Sequence, residues 1–147
     1  MKRPRLRSGP GALIVLVAVA ACGSGALSLG QLRTQAGRIC SVTARRTTRI
    51  SAPNSPQDGA RFISGGIGAL AHELAALRGL PADDDHYQQA LRATAKEVTA
   101  LRFALAGLHA GNDPVVAIKT LEQRLLPLER RADGAWRALR IPTCVAR

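Results

Sequence analysis

Apolar residues recur along most of this chain at alternating steps of four and three positions, the spacing of one face of an α-helix. Four segments carry this spacing, at about residues 28–50, 58–78, 83–110 and 114–140. The third segment is the clearest, and its apolar face comprises Tyr87, Leu91, Thr94, Val98, Leu101, Leu105 and Leu108. Runs of β-branched residues at strand spacing are absent, so the pattern predicts an all-α fold with four helices.

Capping and breaking residues separate the four segments. Proline residues follow the first segment, and Gly79 ends the second. Asp83 to Asp85 open the third segment, and Asp113 with Pro114 opens the fourth, as N-cap and first helical residue. Short connections between helices of similar length favour antiparallel neighbours, so we predict an up-down-up-down four-helix bundle.

Two sets of residues run against the helical pattern. Pro127 stands inside the fourth segment and should kink that helix, because proline removes one hydrogen bond and crowds a carbonyl. Gly65, Gly66 and Gly68 stand inside the second segment. They either fray its first turns or let another backbone approach closely, and the sequence leaves both alternatives open.

A basic segment and a short apolar segment precede the helices. The cations are Lys2, Arg3, Arg5 and Arg7. The apolar run Gly11–Ala21 is too short to cross a bilayer core of about 30 Å, so this order is typical of a secretory signal peptide rather than a transmembrane helix.

Val19-Ala20-Ala21-Cys22 resembles the lipobox of bacterial lipoproteins. The resemblance implies that Cys22 receives a diacylglyceryl group and becomes the first mature residue, with acyl chains such as palmitate holding the protein at the extracytoplasmic face of the cell membrane. Ala18-Val19-Ala20 also fits an ordinary signal-peptidase site, and cleavage after Ala20 would release a secreted protein.

The chain contains three cysteines, an odd number for an oxidising compartment. Removing Cys22 for lipidation leaves Cys40 and Cys144, for which we predict a disulfide; two free thiols are the alternative. In the chain-entropy model a loop of this length stabilises the fold by about 4.7 kcal/mol at most. We expect Trp136 to pack beneath this disulfide.

The disulfide also suggests a domain division. Cys144 directly follows the fourth segment, which places Cys40 at the same end of the bundle. The helical turns before Cys40 would then project about 18 Å beyond that end. We therefore predict a signal peptide at residues 1–21, a lipidated cysteine and tether at 22–35, and a compact bundle domain at 36–147.

The mature chain is basic. The first 21 residues contain four of the 21 Lys and Arg residues, which leaves 17 against 10 Asp and Glu, a formal charge of +7. Export removes nucleic acid as a partner and leaves anionic lipid or an envelope protein. The candidate contact is a basic stripe on the first helix: Arg38, Arg45, Arg46 and Arg49.

Catalytic and metal-binding patterns are absent from the sequence. His72, His86 and His109 flank apolar positions without the spacing of zinc, haem or di-iron ligands, so we expect them at the surface. Four glutamates also lie off the apolar faces and are predicted to be solvated: Glu73, Glu97, Glu122 and Glu129. We therefore expect no enzyme, no metal site and no cofactor.

Together these features predict a membrane-anchored envelope lipoprotein whose small basic helical domain binds or scaffolds a partner. The alternative is a secreted or tethered helical protein with a pocket between helices for a small molecule or a metal. The sequence identifies neither the partner nor the oligomeric state.

Overall fold

The computed structural model of the protein describes residues 25–145, the side chain of Pro56 excepted. Within this range the chain forms four α-helices and two short 3-10 turns, and no strand. The helices are α1 (Leu29–Thr47), α2 (Gly59–Arg78), α3 (Asp85–His109) and α4 (Pro114–Ala138), and the 3-10 turns are Pro56–Asp58 and Pro142–Cys144. The all-α prediction is confirmed. The predicted signal peptide and Cys22 lie outside the described residues.

The predicted caps of α3 and α4 are present. The Asp84 carboxylate accepts a hydrogen bond from the Tyr87 N–H at 3.0 Å, and the Asp113 carboxylate accepts one from the Val116 N–H at 3.0 Å. Each bond satisfies a backbone donor that the first helical turn leaves free. Pro127 stands within α4, which is continuous across it.

The helices pack in chain order: α1 contacts α2, α2 contacts α3, and α3 contacts α4. The C-terminal 3-10 turn Pro142–Cys144 contacts both α1 and α4 and so bridges the first and last helices. The result is a helical bundle that the end of the chain helps to close.

The main core surrounds Trp136, which is fully buried. Its ring meets that of Tyr87 edge to face, with centroids 5.9 Å apart. Cys40 and Cys144 form the predicted disulfide, with Cα atoms 5.0 Å apart, and belong to the same buried cluster as Trp136. A smaller core lies toward the other end of the bundle and comprises Ile63, Leu101, Ala104 and Leu121.

The prediction that residues up to 35 form a tether is wrong. Leu32 is 1% exposed and belongs to the main core, and the Leu27 N–H donates a hydrogen bond to the Pro81 carbonyl at 2.7 Å. The packed part of the chain therefore begins near Leu27 instead of residue 36.

The path of the chain after α4 explains this error. Arg140 adopts a left-handed conformation with φ of 56°, and the Ile141 N–H donates to the Trp136 carbonyl at 3.0 Å. This is the hydrogen bonding of a Schellman turn, which ends a helix and redirects the chain. Cys144 consequently reaches Cys40 in the middle of α1, so the first turns of α1 stay beside the core.

The three glycines of α2 do not fray the helix, which continues from Gly59 to Arg78. A Cβ atom at Gly65 would lie 3.2 Å from the side chain of Ile50, so this glycine makes room for a side chain. A Cβ atom at Gly66 or at Gly68 would have no such neighbour within 4 Å.

Removing the disulfide should cost a large part of the stability. We expect the double variant Cys40→Ala/Cys144→Ala to lose about 2–5 kcal/mol in the free energy of unfolding, because its unfolded chain is no longer constrained. Urea denaturation measures this loss. Dithiothreitol should lower the free energy of unfolding of the wild-type protein by a similar amount and leave that of the variant unchanged. No effect of the reductant on the wild-type protein would contradict the disulfide assignment.

Stability should also fall in alkaline solution. Burial raises the pKa of Tyr87 to about 12, and its hydroxyl donates to the Leu77 carbonyl at 2.6 Å. Since tyrosine in the unfolded chain has a pKa of about 10, the unfolded state ionises first. Below pH 10 the neutral Tyr87 hydroxyl contributes its full stabilisation. As the pH rises to 12, the free energy of unfolding falls by up to about 2.7 kcal/mol.

Two measurements test this pH dependence. The chain contains one tyrosine, so tyrosinate absorbance reports on Tyr87 alone. Tyr87→Phe should lose about 1 kcal/mol at neutral pH and show a flatter decline in alkali, which separates this effect from lysine titration. A tyrosinate midpoint near 10 in the folded protein would contradict the expectation.

Candidate functional site

Four arginines line one open recess of about 520 Å³ beside α1. Arg33, Arg38 and Arg45 come from α1, and Arg140 comes from the turn after α4. Among the residues that the structure describes, the rest of the lining contains no carboxylate and comprises Thr34, Gly37, Ser41, Val42, Ile141, Pro142 and Thr143. We refer to this site as the arginine recess.

A close approach between α1 and the C-terminal segment forms the recess. A Cβ atom at Gly37 would lie 3.2 Å from Thr143 Oγ1, so glycine at this position permits the contact. The Gly37 carbonyl accepts hydrogen bonds from Ser41 Oγ at 2.8 Å and from Thr143 Oγ1 at 3.4 Å. Together with the disulfide, this contact holds both walls of the recess in place.

Arg33 connects the recess to the end of α4. Its Nε donates to the Leu139 carbonyl at 2.7 Å, where the C-terminal end of the helix dipole favours a cation. This bond uses one of the five N–H groups of the guanidinium. Arg33 is half-buried, and its position is therefore better defined than that of an exposed surface arginine.

Arg140 occupies a backbone conformation that glycine usually fills. Its φ of 56° lies in the left-handed region, which costs a residue with a side chain about 1–2 kcal/mol. The comparable turn after α3 has glycine, Gly111, with φ of 87°. Strain of this kind is typical of functional positions, and here it carries a fourth cation to the arginine recess.

The structure separates the predicted basic stripe into two pairs. All four arginines are exposed, but Arg38 and Arg45 line the arginine recess and Arg46 and Arg49 do not. The sequence prediction missed Arg33, which lies five positions before Arg38 and so off the steps of three and four. It also missed Arg140, whose position depends on the direction of the turn after α4.

The arginines of the recess form no ion pair within residues 25–145. The ion pairs of this range join Arg61 to Asp58 and Arg137 to Asp133, and neither involves an arginine of the recess. Guanidinium groups bind phosphate and carboxylate through paired N–H bonds. The recess is therefore suited to an anionic group from outside the protein.

Two of the four glutamates contradict the prediction that they are solvated. Glu73 is 0% exposed and Glu97 is 4% exposed, whereas Glu122 and Glu129 lie at the surface as predicted. Glu73 stands three positions after Leu70, on the apolar side of α2, and Glu97 stands three positions after Thr94, on the apolar face of α3. α2 packs against α1 and α3, and α3 packs against α2 and α4, so the packing also covers positions beside the line of apolar residues.

Glu97 also lines a recess of about 340 Å³ within the bundle, together with Glu129 and Asp133. Across residues 25–145, no three His, Cys, Asp or Glu side chains are grouped so that they could hold a metal ion. The predicted surface histidines, His72, His86 and His109, are all exposed.

None of the helices in the described part of the chain is long and apolar enough to cross a membrane. Comparisons of the chain with protein-family models, curated proteins and solved structures find no match.

Proposed function

We propose that this protein is an envelope lipoprotein, anchored through Cys22 at the extracytoplasmic face of the cell membrane, whose basic domain binds anionic groups through the arginine recess. One observation carries the proposal. Four arginines, one of them in a strained left-handed conformation, line a recess whose described lining contains no carboxylate. Guanidinium recognition of an anion explains this arrangement better than general surface basicity does.

The length of the tether supports a site close to the membrane. Leu27 is hydrogen-bonded to Pro81, so only five positions separate the packed domain from Cys22. Even a fully extended chain of this length spans about 18 Å. A lipid on Cys22 would thus hold the start of α1 near the bilayer and raise the effective concentration of headgroups at the recess.

The proposed partner is an anionic phospholipid headgroup or an acidic envelope protein. Each cation near an anionic leaflet contributes about 1 kcal/mol, which corresponds to about a fivefold change in affinity. Several such contacts, added to a lipid anchor, give stable but salt-sensitive attachment. The proposal assigns the protein no enzymatic activity, no cofactor and no nucleic acid partner.

The finer architecture is part of the proposal. Contacts between consecutive helices and the short connections support an up-down-up-down topology. Pro127 supports a kink in α4, since its ring removes one backbone hydrogen bond. The signal peptide at residues 1–21 is proposed from sequence alone.

A second candidate is a tethered or secreted protein that binds a small molecule. An apolar groove of about 540 Å³ between α3 and α4 favours this candidate. Its volume lies within the range of ligand sites in proteins. The groove favours an apolar ligand over a metal ion.

The intact mass of the protein from the membrane fraction tests the anchor. We expect a chain that begins at Cys22 and carries added acyl mass, and we expect Cys22→Ser to abolish both the acylation and the membrane association. A wild-type chain that begins at Ala21 without acyl mass would instead identify a secreted protein.

Vesicle binding of residues 25–147 without the anchor tests the arginine recess. The variant Arg38→Gln/Arg45→Gln should bind phosphatidylglycerol vesicles about 25-fold more weakly, at about fivefold for each cation lost. Arg46→Gln/Arg49→Gln removes the same charge outside the recess and should have a smaller effect. Wild-type binding should weaken as salt is raised.

Arg140→Gly separates binding from stability. Glycine adopts the left-handed conformation without strain, so the free energy of unfolding should stay constant or rise by up to about 1 kcal/mol. Vesicle binding should nevertheless fall about fivefold. Equal losses for both double variants, or binding that ignores salt, would favour nonspecific basicity and oppose a defined site.

A further inference from the structure

An apolar groove runs between the second half of α3 and the first half of α4. Small residues form its floor, so the surfaces of the two helices recede there. Six of its lining residues are Ala100, Ala104, Gly107, Val116, Ala117 and Leu121. Phe103 and Val116, which both line the groove, are each 64% exposed, a large exposure for apolar side chains.

A cation marks one end of this groove. The Arg124 guanidinium lies 4.8 Å from the centroid of the Phe103 ring, and both residues line the groove. Asp113 lies in the lining at the end where α4 begins. Its carboxylate is engaged as the N-cap of α4, through the Val116 N–H.

A basic recess of about 260 Å³ continues the same face of the helix pair. Its cations are Arg92, Lys96 and Arg131, and no carboxylate lines it within residues 25–145. On α3, Lys96 of the basic recess stands four positions before Ala100 of the groove. On α4, Leu128 of the basic recess stands four positions after Arg124 of the groove. Positions four apart share one helix face and lie about 6 Å apart along the axis, so the groove and the basic recess are consecutive.

We propose that this composite surface binds a single-chain anionic amphiphile, with its acyl chain in the groove and its carboxylate beside Arg124, Lys96 and Arg131. The groove extends about 15 Å along α3 from Ala100 to Ala110, long enough for a large part of an acyl chain. The site shares no residue with the arginine recess and does not depend on that proposal.

The distribution of charge selects this ligand over other occupants. A neutral lipid would cover the cations without pairing them, which costs their hydration. A second copy of this basic chain would bring like charges together on the same face. Each buried methylene of an acyl chain raises the affinity about fourfold, and a carboxylate accepts paired N–H bonds from arginine.

Photo-crosslinking of the full chain tests the proposal. The protein is reconstituted in phosphatidylcholine nanodiscs and exposed to an oleate analogue that carries a diazirine near the end of its chain. We expect labelled peptides from residues 100–121, and excess oleate should suppress the labelling. The corresponding oleyl alcohol analogue should label these peptides about tenfold less, because it lacks the charge that the cations bind.

Surface variants provide the matched comparison. Thr120→Trp places a large side chain in the groove from an exposed position, and Lys96→Glu/Arg131→Glu reverses two cations of the basic recess. Each should lower oleate labelling about tenfold. Arg102→Glu/Arg130→Glu reverses two exposed cations of the same helices outside both recesses and should leave labelling unchanged.

Urea denaturation establishes that each variant remains folded. Three results would overturn the proposal: labelling of the groove that Thr120→Trp does not reduce, equal labelling by oleate and oleyl alcohol analogues, or equal losses in the two charge-reversal variants. Any of these results leaves the arginine recess to be judged by its own vesicle experiment, since the two surfaces have no residue in common.

Discussion

The disulfide between Cys40 and Cys144 is the constraint on which the rest of this structure depends. It joins the middle of α1 to the turn that follows α4, and the closed loop of 104 positions contains most of the packed domain. α1 packs on α2 along one side, and the bridging turn holds it on another. Because the chain contains few large aromatic residues and its core relies heavily on Ala and Leu, this covalent link compensates for a modest gain from burial.

The same link explains why the arginine recess exists at this place. Cys144 can reach Cys40 only because the chain reverses at Arg140, and that reversal carries Ile141 to Thr143 onto α1. Gly37 has no side chain to obstruct this approach, and Arg33 donates a hydrogen bond to the Leu139 carbonyl at the end of α4. The walls of the arginine recess are therefore parts of the structure that closes the bundle, so a bound anion would meet a preorganised site.

Local chemistry explains which features could be predicted from the sequence. Helix positions followed from apolar spacing, and the caps at Asp84 and Asp113 followed from side chains that bond to their own helices. The disulfide followed from the parity of the cysteines once Cys22 was set aside. Each of these inferences needs information from only a few neighbouring residues or from a simple count.

The features that the sequence did not reveal depend on contacts distant along the chain. Arginine is an uncommon residue for a left-handed turn, so nothing at Arg140 signalled that the chain would reverse. Without that reversal, the packing of Leu32 in the core could not be anticipated. The burial of Glu73 and Glu97 likewise depends on how the helices pack against one another, which the spacing of apolar residues leaves undetermined.

The arrangement of charge on α4 argues against a uniformly basic surface. Glu129 and Asp133 stand four positions apart and line the recess inside the bundle, whereas Arg124 and Arg131 stand seven apart and line the outer face beside α3. Both spacings return to the same side of a helix, so these two acids and these two cations lie on different sides of α4. Asp133 pairs with Arg137, whereas the described linings that contain Arg124 and Arg131 include one carboxylate, Asp113. Arg124 and Arg131 are exposed, so an anionic ligand would have access to them.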